Sequence, residues 1–211
     1  MDKTQLSNLA LSKVGSEGGL ITDFDDDNSK EGVLCRQFFD QALHEMLRRH
    51  VWNCAKKREE LTADGEAPSF GYNKRFELPS DCLRPLEFVS AQREREQETE
   101  WVVEGNYILT NAETGYLVYV ANEPLRDDPL FIKAFVQNLA IMLVYPMTQD
   151  ARIQKGLIEE LEFSIMPEAR RCNAFEGYMH PRIHSDWLDA THGGGIYRPF
   201  ADADHGTITV E

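Results

Sequence analysis

The sequence predicts an α+β fold, mainly α: a four-helix bundle with a small antiparallel β insertion and an extended C-terminal tail. Three observations lead there. Four stretches, Leu6–Val14, Val33–Leu47, Phe131–Val144 and Ile153–Cys172, repeat apolar residues at helical spacing and so supply four faces that need covering. Residues 62–126 lose that period, because Ala67-Pro68, Leu78-Pro79 and Arg84-Pro85 break any helix. From residue 177 onward, glycines, prolines and four of the six histidines replace every periodic signal. The chain therefore divides into residues 1–61 and 127–176 as the two halves of the bundle, 62–126 as the β-rich insertion, and 177–211 as a tail for docking a partner.

The elements follow in order. In the first helix Leu6, Leu9, Ala10 and Val14 share a face, and Gly15 sits where a left-handed cap belongs. Gly18-Gly19 loosens the chain before a loop, Ile21–Asp27. Asp23, Asp25 and Asp27 match the first, third and fifth ligands of an EF-hand loop. The match ends at Asn28, where glycine is needed, and at Leu34, where a bidentate glutamate is needed. These carboxylates are instead read as charge that favours a helix start. The second helix begins with Asn28 as N-cap and Glu31 in capping-box position. Val33, Cys35, Phe38, Phe39, Ala42, Met46 and Leu47 form its apolar face; Arg36, Gln41, Glu45 and Arg48 face water.

Trp52–Leu61 reads as extended. Its Lys56-Lys57-Arg58 is the only run of three basic residues, either an edge strand blunted by lysine or a contact for DNA or an acidic partner. Strand-like runs follow at Phe76–Leu78, Leu86–Val89, Trp101–Val103, Tyr107–Leu109 and Tyr116–Val120. Gly105-Asn106 is a two-residue hairpin turn with glycine first, as type II′ requires. Gln92–Glu100 is a charged hairpin tip, and Tyr107, Tyr116 and Tyr119 are sheet-packing aromatics.

Asp128-Pro129 opens the third long helix as cap and first-turn proline, and Tyr145-Pro146 ends it. Phe131, Phe135, Leu139 and Met142 line one side and Ile132, Val136, Ala140 and Val144 lie beside them. Lys133 and Gln137 leave a narrow polar strip, so this helix is central. Asp150 caps the fourth helix, 151–175, where Ile153, Leu157, Leu161, Ile165, Ala169 and Cys172 recur near every fourth residue and Pro167 introduces a kink. In the tail, Trp187, Ile196, Tyr197 and Phe200 are more apolar than free disorder favours, so it is expected to fold on a partner.

Composition narrows the chemistry. The chain has 211 residues, 22 basic and 36 acidic, a net charge of −14 and a pI near 4.9. A nucleic-acid clamp neutralises phosphates with Lys and Arg, so this balance argues against one, while it suits the wall of a passage that DNA must slide through. Cys35, Cys54, Cys82 and Cys172 form no CxxC pair and are expected as free thiols in a reducing cytoplasm. The start, MDKTQLSNLALSKVG, lacks a basic region followed by an apolar run, and the longest apolar run, Leu139–Met147, is broken by Pro146. A protein without a membrane anchor is expected. His180, His184 and His192 with Asp186 and Asp189 match no metal-ligand spacing. There is no P-loop, no GxGxxG, no GxSxG and no HExxH, so no catalytic residue, cofactor or metal is expected. Asp26 with Glu31, or Glu159 with Glu162, could be nominated as a glycosidase pair, but helix charges explain them better.

Four stretches together carry a resemblance. Leu47–Leu61 reads Leu-Arg-Arg-His-x-Trp-Asn-x-Ala-Lys-Lys-Arg-x-x-Leu. Tyr72–Arg84 reads YNKRFELPSDCLR, Val103–Thr110 reads VEGNYILT, and Asp128-Pro129 leads a helix through Leu143. In order and spacing these resemble the bacteriophage head-to-tail adaptor (connector) family of the tail tubular protein A type, over residues 5–175. The resemblance implies a structural virion protein of the neck, assembled in the host cytoplasm as a twelvefold ring beneath the portal. It implies a tail that reaches the portal, with Trp187, Ile196, Tyr197, Arg198 and Phe200 as contacts. The β region would face the tail nozzle or tail tube protein. Genomic DNA would pass through without specific binding, with Lys56, Lys57 and Arg58 as candidate DNA or partner contacts. The alternatives are a virion-associated cell-wall glycosidase and a DNA-packaging recognition subunit; the second needs a helix-turn-helix and a basic face.

Overall fold

The computed structural model describes residues 2–15, 19–90 and 100–176. Its most apolar helix is also its hub. Helix α3 (Pro129–Thr148) buries Phe131, Ala134, Phe135, Val136, Leu139, Ala140, Leu143 and Val144. Helices α1 (Lys3–Val14), α2 (Lys30–Arg49) and α4 (Ala151–Glu160) each pack on it, whereas α1 and α2 scarcely touch one another. A ladder of rings crosses this core in the order Phe24, Phe39, Phe135, Phe131 and Trp52. Successive centroids lie 5.1, 5.1, 6.4 and 5.1 Å apart, edge to face except for the stacked Phe131–Phe135 step. By length and composition α3 could cross a bilayer, yet 56% of its most apolar window is buried inside the protein.

The helix ends show which signals won. Asp128 Oδ1 accepts from the Leu130 and Phe131 N–H groups at 2.9 and 2.8 Å, with Pro129 in the first turn, as expected. Helix α3 runs past Tyr145-Pro146 to Thr148, because a proline this close to the end removes only one ladder bond. Gln149 then stops it in the left-handed region at φ 56°, its N–H bonding to Tyr145 O at 3.0 Å. Helix α2 is capped by Ser29 and not by Asn28: Ser29 Oγ accepts from Gly32 N–H at 3.1 Å. The reason is Asp27, whose Oδ1 accepts from Ser29 N–H at 2.8 Å and whose Oδ2 accepts from Thr22 N–H at 3.1 Å, closing the loop one residue later. These carboxylates shape the turn.

The fourth helix is interrupted where Pro167 predicts a kink. It continues from α4 through a π turn (Leu161–Ile165) into α5 (Met166–Phe175). The Met166 N–H bonds back five residues to Leu161 O. The apolar spacing explains this. Leu161, Ile165 and Ala169 are all buried at steps of four, and such a row drifts around an α-helix of 3.6 residues per turn. One wide turn returns the row to the core side.

Among the described residues, six strands form two antiparallel sheets. Sheet A has the order β1 (Lys56–Leu61), β6 (Gly115–Ala121), β3 (Cys82–Ser90); sheet B has the order β2 (Lys74–Glu77), β5 (Tyr107–Thr110), β4 (Trp101–Glu104). Four of the five strand-like runs found in the sequence fall within these strands, and Phe76–Leu78 overruns the end of β2 by one residue. Gly105-Asn106 joins β4 to β5, with Gly105 at φ 58°, as the hairpin reading requires. Gly115 is needed for space, since a Cβ there would lie 2.0 Å from the Phe88 ring. Strand β6 is the seam of the molecule. Its Val120 belongs to the helical core together with Leu83 and Leu86 of β3, while Leu117, Tyr119 and Ala121 belong to a second core with Leu61, Phe76, Phe88 and Ile108.

The four-helix bundle with a small insertion is therefore corrected. Helix accounts for 49% and strand for 21% of the described residues, in four helices and two three-stranded sheets. The sheets have a core of their own, and α4 buries none of its residues, so four apolar stripes do not close on each other as a bundle requires.

Candidate docking surfaces

The segment that carries the family resemblance is a rigid joint between α2 and β1. Trp52 is 1% exposed, and its Nε1–H donates to Met46 O at 2.9 Å. A single 3₁₀ turn, Asn53–Ala55, buries Cys54 and Ala55 and feeds β1. Asn173 of α5 clasps the joint from 120 residues away. Its Oδ1 accepts from Asn53 N–H and its backbone oxygen accepts from Asn53 Nδ2, both at 2.8 Å. Its Nδ2 donates to Val51 O at 2.9 Å and contacts His50 Nε2 at 3.0 Å. The Asn53 N–H can only donate, which assigns Oδ1 and Nδ2 of Asn173; His50 Nε2 is then the acceptor, and its neutral ring carries the proton on Nδ1. Burial, then the charges of Arg170 and Lys56, hold the His50 pKa below its ordinary value.

Past the joint the basic run splits. Lys56 and Arg58 are exposed on one face of β1, while Lys57 turns to the other. Lys57 Nζ lies 2.9 Å from Asp81 Oδ2 and 3.6 Å from Glu59 Oε2, and 5.7 Å above the Tyr119 ring. The Tyr119 hydroxyl lies 2.8 Å from Asp81 Oδ1 and 3.0 Å from Glu59 Oε2, so one proton serves two carboxylates. The bond to Asp81 foremost, then that to Tyr119, raises the Lys57 pKa. Burial raises that of Tyr119. Burial would raise Asp81 as well, but its bonds to Lys57 and Tyr119 outweigh it and hold the carboxyl below the usual range. The cluster is a clamp across β1, β6 and the turn into β3. A general acid needs a raised carboxyl, and Asp81 is held ionised instead.

Open space flanks β1. A cleft of about 510 Å³ lies among Glu59, Glu60, Thr62, Glu77, Pro79 and Asn106, and another of about 470 Å³ among Arg58, Glu60, Glu87 and Tyr116. Elsewhere large apolar side chains face water: Ile158 at 41%, Phe163 at 83% and Phe175 at 76% exposure lie along α4, the π turn and α5. Three of the cysteines are poorly set up as nucleophiles. Burial pushes the Cys35 and Cys82 thiols up to about 11 and that of Cys54 up to about 12, so the thiolate is scarce at neutral pH. The nominated Glu162 pairs with Arg49 and Glu159 with Lys155, at the surface.

No protein-family model matches the chain, and no characterised protein matches it in sequence.

The structure thus separates Lys57 from Lys56 and Arg58, which the sequence had grouped as one candidate contact. Trp187, Ile196, Tyr197, Arg198 and Phe200, the expected portal contacts, lie outside the described residues, as does most of the Gln92–Glu100 tip. Among the described residues, no three His, Cys, Asp or Glu side chains converge as a metal site would need. Sequence reading missed Asp81 and Asn173. Asp81 stands in the quoted Leu-Pro-x-Asp-Cys stretch, which was the available signal; Asn173 had none.

Proposed function

We propose that the chain is a structural subunit of a tailed-bacteriophage virion: a head-to-tail adaptor that forms a ring between portal and tail. In this reading it extends the DNA channel, seals the joint and gives the nozzle or tail tube a docking platform, in the virion neck, with no catalytic step, cofactor or metal. The observation that carries the proposal is the joint. The Leu47–Leu61 stretch that resembles the family divides into buried and outward-facing positions. Leu47, Trp52, Ala55 and Leu61 are buried, while Arg48, Lys56 and Arg58 face out. That division suits a mechanical coupling of helix to sheet. The exposed Ile158, Phe163 and Phe175 suit a chain that works in an assembly, since large exposed apolar groups mark contact sites. The excess of 36 acidic over 22 basic residues suits a channel that DNA must not adhere to.

The test is co-sedimentation of the full chain with the portal ring from the same genome, followed by electron microscopy. A second ring stacked coaxially on the portal is expected, and its subunit count tests the twelvefold expectation. A bare portal with the chain left in solution would overturn the proposal.

A further inference from the structure

We propose that β1 is a self-complementary edge through which two copies of this chain join their A sheets about a two-fold axis. Strand β1 is an outer strand of sheet A. It pairs with β6 in unbroken register from Lys56↔Val120 to Leu61↔Gly115, so its outer edge is regular. The opposite edge, β3, is not: it carries Pro85, which has no N–H to offer, and two register shifts, at Cys82/Arg84 and Pro85/Glu87. One edge of the sheet is blunted by backbone and the other only by charge.

That charge has a pattern. Two identical antiparallel strands related by a two-fold axis perpendicular to the sheet place side chains of the same face opposite one another. Centring the axis on Arg58 sets Lys57 against the partner's Glu59 and Lys56 against the partner's Glu60, and the reciprocal pairs follow by symmetry. Four of the five facing pairs then have opposite sign, and the fifth sets Arg58 against its own copy. Lys57 and Glu59 are already held within the chain by Asp81 and Tyr119, so Lys56 and Glu60 are the pair left to act across the axis. Lysine on an edge strand normally repels a second strand, but here each lysine meets a glutamate. Lys56, Arg58 and Glu60 are exposed, and among the described strands β1 has a neighbour, β6, on one side only. The second copy is therefore the occupant that fits by charge. The contact is independent of the adaptor reading, because a head-to-tail ring joins two different surfaces and a two-fold pair uses one surface twice.

The test is a charge-swap cycle on the full chain, read as the dimer dissociation constant by sedimentation velocity. Lys56→Glu and Glu60→Lys each place two like-charged pairs across the axis, and each is expected to weaken the dimer by about tenfold or more. The double variant Lys56→Glu/Glu60→Lys restores opposite signs and is expected to recover the original constant. Unchanged helix content by circular dichroism checks that the variants fold. A wild-type chain that stays monomeric up to its solubility limit would overturn the proposal. So would a dimer, or a closed ring, whose constant ignores both single swaps; the ring would leave the adaptor reading standing.

Discussion

The helical core and the sheet region meet at β6 but are held by different means. On the helical side the buried set is almost wholly apolar, and two of its polar members act as cross-links: Asn138 Nδ2 donates to Ala42 O at 3.2 Å, and Gln137 Nε2 donates to Leu157 O at 3.0 Å. On the sheet side the second core is smaller, and its alignment is set at the rim, where Tyr119 sends a wholly buried ring inward and its hydroxyl to Asp81 and Glu59. Apolar volume holds the first region and placed charge holds the second. Removing volume should therefore do most damage among the helices, and removing a single polar atom should do most damage in the sheets.

The largest effect is expected at Phe135, which touches both Phe39 and Phe131 in the ring ladder. Phe135→Ala should cost about 3–5 kcal/mol in urea unfolding, as large-to-small changes in tight cores do. Tyr119→Phe keeps the ring and deletes the shared proton donor; it should cost about 1–3 kcal/mol. A larger loss for Tyr119→Phe than for Phe135→Ala would break the comparison. Asn173→Ala removes the side-chain contacts of the clasp, leaving its backbone bond to Asn53, and should cost about 1–2 kcal/mol, with amide exchange rising first at Val51–Asn53. Asp128→Ala removes the α3 cap and should cost about 1 kcal/mol. The smallest effect is a dependence on pH. The unfolded chain takes up the His50 proton at a higher pH than the folded one, so below about 6.5 it binds more protons and stability falls as pH drops. Above that value the contribution is fully present. Comparing denaturant midpoints at mildly acidic and neutral pH for wild type and His50→Gln should show this part of the slope disappear.

Most local features were legible in the sequence, the α2 cap at Ser29 and the end of α3 at Thr148 excepted, and distant pairings were not. Asp128-Pro129, Gly15, Gly105-Asn106 and the five strand-like runs act within a few residues of themselves, and each appears in the structure where expected. The bundle was misread because an apolar stripe states that a helix must be covered without stating by what. Helix α2 is partly covered by β3, and α4 leaves Ile153 and Ile158 exposed. Tyr119 was correctly read as a packing aromatic, but its hydroxyl partners stand 60 and 38 residues away. The slip before Pro167 was half visible: the proline marked the place, and the fourfold apolar spacing, read as ordinary helix, carried the reason.

The π turn has a genetic consequence. Dropping one residue from Leu161–Ile165 would bring Ile165, Met166 and Ala169 to three, four and seven steps after Leu161, the spacing of an unbroken α-helix. The helix is in effect one codon longer than its buried face needs. A chain lacking Ser164 should therefore fold with α4 and α5 fused into one regular rod, whereas the same deletion in the middle of α3 would turn half of the central face to water. A single in-frame codon loss, ruinous in most buried helices, is here a change the lineage could accept.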